Sequence, residues 1–409
     1  MPSARAPHAG HYLLEIQRGE QAYPFTRAEI TTANCKYTSR YVPGLAKARY
    51  ILKVPAETEI RVISPALRRV KLRRVTRIGA ALLARRQKDR ALSISFGNGV
   101  RLIPLISGAG PEGKELRKAL KLISNWGFTL TSDSLQSTPG LFEELDPPST
   151  KVPTAAESPA DHPNFAIVLH LYYQQLWPEF EKKLLEISAP FHLIVTTTKH
   201  DSTFETAILA TFPAAEIFVY ENRGRDVGPF LQLLHEGHLD RFRLICKLHG
   251  KRSGESGPRA LFGIVWRRAN IADLIGSNET VNEILNRFAT TRELAVVGSA
   301  HFRLPNQYIG EEAAWANNRE MTLELAQRMG IPKPDFKLDF FAGTMFWIRQ
   351  DALTPIRKLG LTINDFANET GAVDGELAHA VERIFGAGRL LQSHTAIPDK
   401  MKAKSHRLL

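Results

Sequence analysis

From about Tyr12 to Ser107 the chain alternates apolar and polar residues in short runs: HYLLEIQ, AEITTANCKYT, ARYILKV, TEIRVIS, RRVKLRRV, ALSISFG and VRLIPLI, separated by Pro, Gly and charged turns. Period-two alternation puts one face of each run against a core and the other toward water, so this part is expected to be an antiparallel sandwich or barrel of short strands. Between Glu112 and Trp126 the rhythm becomes helical, with Leu116, Leu120 and Ile123 on one face, which predicts a single closing helix. The stretch from Ser132 to Pro163 is rich in Pro, Ser, Thr and acids and cannot bury much apolar surface, so it reads as an interdomain linker.

Beyond the linker the pattern changes again. FAIVLHLYY is a continuous apolar run of the buried parallel-strand type, LWPEFEKKLLEI is an amphipathic helix, FHLIVTTT a second strand, TFETAILATF a second helix and AEIFVYEN a third strand. Strands alternating with helices imply crossover connections and a mostly parallel sheet covered on both faces. The expected organisation is therefore a mainly-β domain over 1–131, a linker over 132–163 and an α/β domain over 164–409. Ligands of such sheets sit at the C-terminal strand ends, which directs Tyr172, Tyr173, Thr196, Thr197 and Asn222 toward one cleft.

Length and composition agree with two folded domains. The 409 residues are 43% hydrophobic and 23% charged, an ordinary globular mixture. The first residues, MPSARAPHAGHYLLEIQ, lack the apolar core of a signal peptide, and runs such as Ile78 to Ala84 fall far short of the roughly 20 apolar residues of a spanning helix, so a cytoplasmic location is expected. Cys35 and Cys246 are the only thiols and suit a reducing compartment.

Lys and Arg outnumber Asp and Glu by 54 to 42, a net charge of +12. Between Arg68 and Arg90 roughly ten basic side chains surround Asp89 as the one acid. That stretch is either a solvated strand face or a peripheral contact with an anionic membrane surface. Nucleic acid is not expected, because the stretch lacks the interleaved aromatics of a stacking platform.

Four segments of the α/β part carry candidate chemistry. Glu221-Asn222-Arg223-Gly224-Arg225-Asp226-Val227-Gly228 joins a strand to an apolar helix. Its glycines permit a tight turn, and its helix start and arginines suit a phosphate, with Asp226 as the alternative N-cap. A fourth strand ends in Lys247-Leu248-His249-Gly250-Lys251-Arg252, placing cations where a diphosphate leaving group would sit. Trp266 with Arg267 and Arg268 can flank a base or sugar, or can be a core indole with surface arginines. FFAGTMFWIRQDAL reads as a strand broken at Gly343, the mark of a close backbone approach or a bulge. In the segment Glu369–Arg383, Asp374 and Glu376 sit at a helix start, either as caps or as a base for an acceptor hydroxyl.

NRGRDVGPFL, CKLHGKRS with the following WR, FAGTMFWIR and DGELAHAVERIFG, in that order, resemble the successive signatures of the rhamnan synthesis protein F family over about Asn164 to Gly388. The resemblance implies assembly of rhamnose-containing cell-envelope polysaccharide such as lipopolysaccharide O-antigen. It also implies transfer of a deoxysugar from a nucleotide donor, dTDP-rhamnose or a relative, to a lipid-linked glycan acceptor, at the inner face of the cytoplasmic membrane.

The order of features is also similar to GT-A glycosyltransferases. By that comparison Tyr172, Tyr173, Asn222, Arg223, Asp226, Lys247, His249, Lys251, Trp266 and Arg267 surround the donor, Gly343 and Thr344 lie near the acceptor, and Asp374, with Glu376 beside it as the second catalytic candidate, stands at the position of the base. GT-A enzymes usually present an Asp-x-Asp pair for a divalent metal; this chain has Lys247, His249 and Lys251 there, so no metal ligand is assigned and a metal-independent transfer is expected, with inversion resting on the single base. The rival expectation is a catalytically silent carbohydrate-binding or scaffold protein.

Overall fold

The computed structural model of the chain describes residues 3–18, 25–32, 37–43, 47–63, 67–85, 94–97, 100–105, 164–251, 257–306, 309–368, 375–387 and 395–397. The expected closing helix at 112–126 and the expected linker at 132–163 lie outside these residues. The chain divides into two compact units, Met1–Ser149 with Ser253–Val265 and Thr150–Arg252 with Trp266–Leu409.

The first unit contains the strands β1 (Ser3–Ala6), β2 (Gly10–Arg18), β3 (Phe25–Thr31), β4 (Tyr37–Pro43), β5 (Lys47–Val54), β6 (Thr58–Ile63), β7 (Leu67–Val75), β8 (Ile94–Gly97) and β9 (Val100–Pro104). They form a four-stranded sheet in the order β1-β6-β3-β4 and a five-stranded sheet in the order β7-β2-β5-β9-β8. Alternate residues of both sheets, among them Leu14 and Ile16, Tyr50 and Leu52, Ile30, and Ile60 and Val62, share one buried cluster. Sheet packs on sheet, the sandwich form of the expectation. The run AEITTANCKYT is divided between β3 and β4, which pair antiparallel from Phe25↔Pro43 to Thr31↔Tyr37. A helix, α1 (Arg77–Arg85), interrupts the strand pattern; Thr76 Oγ1 accepts the Gly79 N–H at its start (3.0 Å). Through Ala80 and Leu83 it packs on Leu13 and Ile51, on the face of the larger sheet turned away from the other sheet.

The second unit is built on β10 (Phe165–His170), β11 (His192–Thr197), β12 (Glu216–Val219), β13 (Leu244–His249), β14 (Val296–Ser299), β17 (Phe346–Arg349) and β18 (Thr395–Ile397), with β15 (Arg303–Leu304) and β16 (Phe340–Phe341) as a separate short pair. The seven-stranded sheet has the order β12-β11-β10-β13-β17-β14-β18. Its helices are α2 (Trp177–Leu184), α3 (Ser202–Thr211), α4 (Val227–His235), α5 (Gly257–Ile275), of which the part from Trp266 onward belongs to this unit, α6 (Asn278–Thr290), α7 (Glu311–Trp315), α8 (Arg319–Arg328), α9 (Thr354–Arg357) and α10 (Leu377–Ile384). The fold is the expected α/β class. β10 and β13 are buried along their whole length, as strands covered on both faces must be. Three of the helix starts have a local cause. In α2 a Pro sits in the first turn and Trp177, Phe180 and Leu184 face inward. In α3 Asp201 accepts the Thr203 and Phe204 amides (3.0 and 3.1 Å), and in α6 Ser277 accepts that of Thr280 (3.2 Å).

Two features depart from the simple alternating pattern. The sheet is mixed: β10 to β13 are parallel, whereas β17 runs antiparallel to both β13 and β14. The expected strand FFAGTMFWIR is two strands, β16 and β17, separated by a reversal at Gly343 and Thr344, both with positive φ (88° and 50°).

Candidate active site

β10 is flanked by β11 on one side and β13 on the other. The chain steps outward from β10 to β11 and β12, then returns through α4 to the far side of β10 as β13. The connections leaving β10 and β13 therefore diverge, the topology that in open α/β sheets sets the ligand crevice at the C-terminal ends of the two strands. The register places His170 opposite His249 at that point.

A polar network occupies this strand end. Asp226 precedes α4 but makes no capping bond; its carboxylate reaches across the strand ends to pair with the Lys247 ammonium and accepts the Thr344 hydroxyl. Lys247 also donates to the Thr344 carbonyl and hydroxyl oxygens (3.1 Å each), so three acceptors surround a side chain that is 2% exposed. Burial by itself raises the Asp226 carboxyl, but His249 and Lys247 facing it, with the Lys247 and Thr344 hydrogen bonds, outweigh that and hold it far below the usual carboxylate range. Burial likewise lowers Lys247, against the pull of Asp226.

His249 lies one strand step on, its Nε2 2.6 Å from the Gly343 carbonyl and its Nδ1 4.0 Å from Asp226. Burial, reinforced by Lys247 and Lys251 and opposed by Asp226, brings it down to about 4. His170 is brought down to about 3, chiefly by burial, and its Nδ1 bonds Thr196 Oγ1 at 3.0 Å. Both imidazoles are thus neutral near pH 7. Thr196 and Thr197 are buried and turned to neighbours rather than to the crevice: Thr197 Oγ1 donates to the Leu171 carbonyl (3.0 Å) and accepts from Gln174 Nε2 (3.0 Å).

The Gly343–Thr344 turn is held from several directions. Its Gly343 N–H donates to Glu382 of α10 (2.5 Å), and a Cβ at Gly343 would lie 2.7 Å from the indole nitrogen of Trp266. What approaches this backbone is the Trp266 ring, which is buried, stacks on Phe302 at 4.7 Å and receives the Lys251 ammonium 4.3 Å from its centroid. Burial pushes the Glu382 carboxyl up, against the opposing influence of Arg383, the Gly343 amide and Lys251. Burial also lowers Lys251. Arg267 is a buried brace: it donates to Glu179 (2.8 and 3.2 Å) and to the Lys251 carbonyl (2.7 Å), while Arg268 joins Glu179 at 3.1 Å.

On the β12–α4 turn, Gly224 has φ 65° and a Cβ there would meet the Phe366 ring at 2.6 Å, which explains the glycine. Asn222 is half-buried beside it. Arg223 donates to Asn368 (2.9 Å) and pairs with Glu221 (3.2 Å). Arg225, also at positive φ, contacts His379 (3.1 Å) and pairs with Glu376 at 3.6 Å. Glu376 forms a reciprocal capping box with His379 at the start of α10. Tyr172, exposed, and Tyr173, half-buried, follow β10 with their rings edge to face at 4.9 Å. Asp374 lies outside the described residues.

Tertiary structure thus joins Asp226, Lys247, His249, Gly343 and Thr344 in one network, with Lys251, Trp266 and Arg267 attached through Lys251, and Arg225 tying Glu376 to the same turn. Three contributors escape a reading of the sequence: His170, Glu179 and Glu382. For Glu382 the available signal was a Glu-Arg pair inside the apolar helix LAHAVERIF. Among the described residues no cluster of three or more His, Cys, Asp or Glu is arranged to hold a metal, and no helix is long and apolar enough to cross a membrane.

Residues 147–390 match the model of the family described as rhamnan synthesis protein F. Uncharacterized protein WxcX of Xanthomonas campestris pv. campestris (strain B100) is 32% identical over 226 residues, which cover 55% of this chain and 31% of that protein. The counterpart from strain ATCC 33913 is equally similar, so the chain spans about a third of the length of these curated relatives. Among solved structures, a mannosyltransferase from Pyrobaculum calidifontis in complex with GDP-Man and Mn2+ superposes with a TM-score of 0.32 at 13% identity, covering 70% of this chain and 64% of that one. A 4-diphosphocytidyl-2C-methyl-D-erythritol synthase gives 0.24 at 11% identity, covering 50% and 87%.

Proposed function

Because the chain belongs to the rhamnan synthesis protein F family, we propose that its α/β unit is a glycosyltransferase of cell-envelope polysaccharide synthesis, taking a deoxysugar from a dTDP-rhamnose-like donor. The acceptor in this reading is a lipid-linked glycan on the cytoplasmic side of the membrane. The observation that carries the proposal is the convergence, at the switch point between β10 and β13, of four segments far apart in sequence: Asp226, Lys247 to Lys251, Gly343 with Thr344, and Glu376 with Glu382.

In this reading the acceptor hydroxyl attacks the anomeric carbon, the bond from that carbon to the diphosphate oxygen breaks, and the hydroxyl proton passes to Asp374. Lys251 and the arginines of the β12–α4 turn receive the charge that develops on the diphosphate. Lys247 acts differently from its neighbours: enclosed by Asp226 and Thr344, it sets the position of the Gly343–Thr344 turn, and His249 and Glu382 hold the same turn. Single displacement with inversion, Asp374 serving as the one base, completes this reading, and the cations are suited to act without a metal.

The test is titration of the purified chain with dTDP-rhamnose, UDP- and GDP-sugars, followed by transfer assays on a lipid-linked acceptor. Lys251→Met should weaken donor binding about tenfold or more, the worth of one charge-assisted contact. Asp374→Asn should keep donor binding and lower turnover at least ~100-fold. Absence of both binding and transfer with every donor removes the enzyme reading and leaves the carbohydrate-binding scaffold.

A further inference from the structure

The larger sheet of the first unit carries an unusual outer face. β2 pairs with β7 and β5, and β5 with β9, so residues that share a face are read directly from the registers. The face turned away from the sandwich core contains Leu13 and Ile51, covered by α1, and around them stand Arg69, Lys71 and Arg73 of β7, Arg49 and Lys53 of β5, and Arg101 of β9. All six cations are exposed, and Glu15 is the one carboxylate on these four strands that shares their face. The area is about 14 Å across the strands and about 13 Å along β7, the size of a few lipid headgroups.

The helix lying on this face is apolar on the wrong side for a soluble surface. Ala80 and Leu83 pack inward, yet Ile78 and Leu82, one turn apart, point outward with 75% and 56% of their surface exposed. Cations on an edge strand can guard against edge-to-edge pairing, which accounts for Arg69, Lys71 and Arg73 of β7. It does not account for Arg49, Lys53 and Arg101, which lie on interior strands.

We propose that this face docks on an anionic phospholipid bilayer, the six cations lying against the headgroups while Ile78 and Leu82 of α1 enter the interface. Charge complementarity selects the occupant. A second copy of the chain would bring the same positive face against itself. A nucleic acid would leave Ile78 and Leu82 without a role and finds no Phe, Tyr or Trp on the described outward positions of β7, β2, β5 and β9. The inference rests on the first unit alone and stands or falls independently of the transfer chemistry.

The test is flotation of the full chain with vesicles of phosphatidylcholine, with and without phosphatidylglycerol, at rising salt. Binding is expected only to the anionic vesicles and to weaken with salt. A cation near an anionic surface contributes about fivefold to partitioning, so Arg69→Gln, Lys71→Gln and Arg73→Gln together should lower it about 100-fold. Ile78→Ser with Leu82→Ser, which keeps every cation, should lower it about tenfold or more. Both variants alter exposed side chains and should melt at the wild-type temperature. Equal binding to neutral vesicles, undiminished binding by the triple variant, or a serine variant that binds as wild type would each overturn the proposal.

Discussion

Replacing Lys247 by Met is the most informative perturbation of the strand-end network. Met preserves most of the aliphatic volume, so the change removes charge and three hydrogen bonds but opens little cavity. What remains is the Asp226 carboxylate, with its side chain 13% exposed and only Thr344 of its former partners bonded to it, and a Thr344 carbonyl that has lost a donor. Removing one partner of a buried pair costs about 3–5 kcal/mol, because the other charge is left uncompensated. Urea denaturation of wild type, Lys247→Met, Asp226→Asn and the double variant at pH 7 measures this as a cycle. The double variant should be more stable than Lys247→Met alone.

The pH dependence has a definite sign. The folded carboxyl of Asp226 lies below its unfolded value, so its contribution is full above about pH 4 and disappears as the pH falls through the folded value. In Lys247→Met burial raises that carboxyl instead, so the deficit relative to wild type should shrink on acidification. A cost under about 1 kcal/mol, or the same cost in the Asp226→Asn background, would refute the assignment of Lys247 as the counter-ion that organises this turn.

Gly343→Ala combines a left-handed backbone with a Cβ 2.7 Å from the Trp266 indole, so it should destabilise by about 1–3 kcal/mol and alter tryptophan fluorescence; thermal melting and emission spectra check both. His249 and His170, lowered to about 4 and about 3, favour folding while neutral, so that contribution is complete above about pH 6.5 and fades as the pH falls through their folded values. His249→Gln should therefore flatten part of the stability loss between pH 6.5 and 4, read by denaturation at a series of pH values.

The sequence by itself determined what depends on local order. Period-two runs are enough to call the strands of the first unit, and FAIVLH, HLIVTT and LICKLH declare buried parallel strands because both of their faces must be apolar. The motif segments follow from the same logic, since strand ends in such a sheet are where polar residues collect. Tertiary structure alone decided how those residues are used. Lys247 reads as an exposed cation for a phosphate, but its strand is buried and Asp226 arrives from another turn to pair with it. Gly343 reads as a gap inside one strand, yet the chain reverses there, and only packing brings Trp266 against it. The antiparallel direction of β17 and the helix α1 amid strands could not be read from periodicity, which records the face a residue occupies and not the direction of its strand or the element across from it. Glu179, His170 and Glu382 were hidden for the same reason: their significance is a partner far away in the chain, supplied only when the sheet and its helices close around the strand ends.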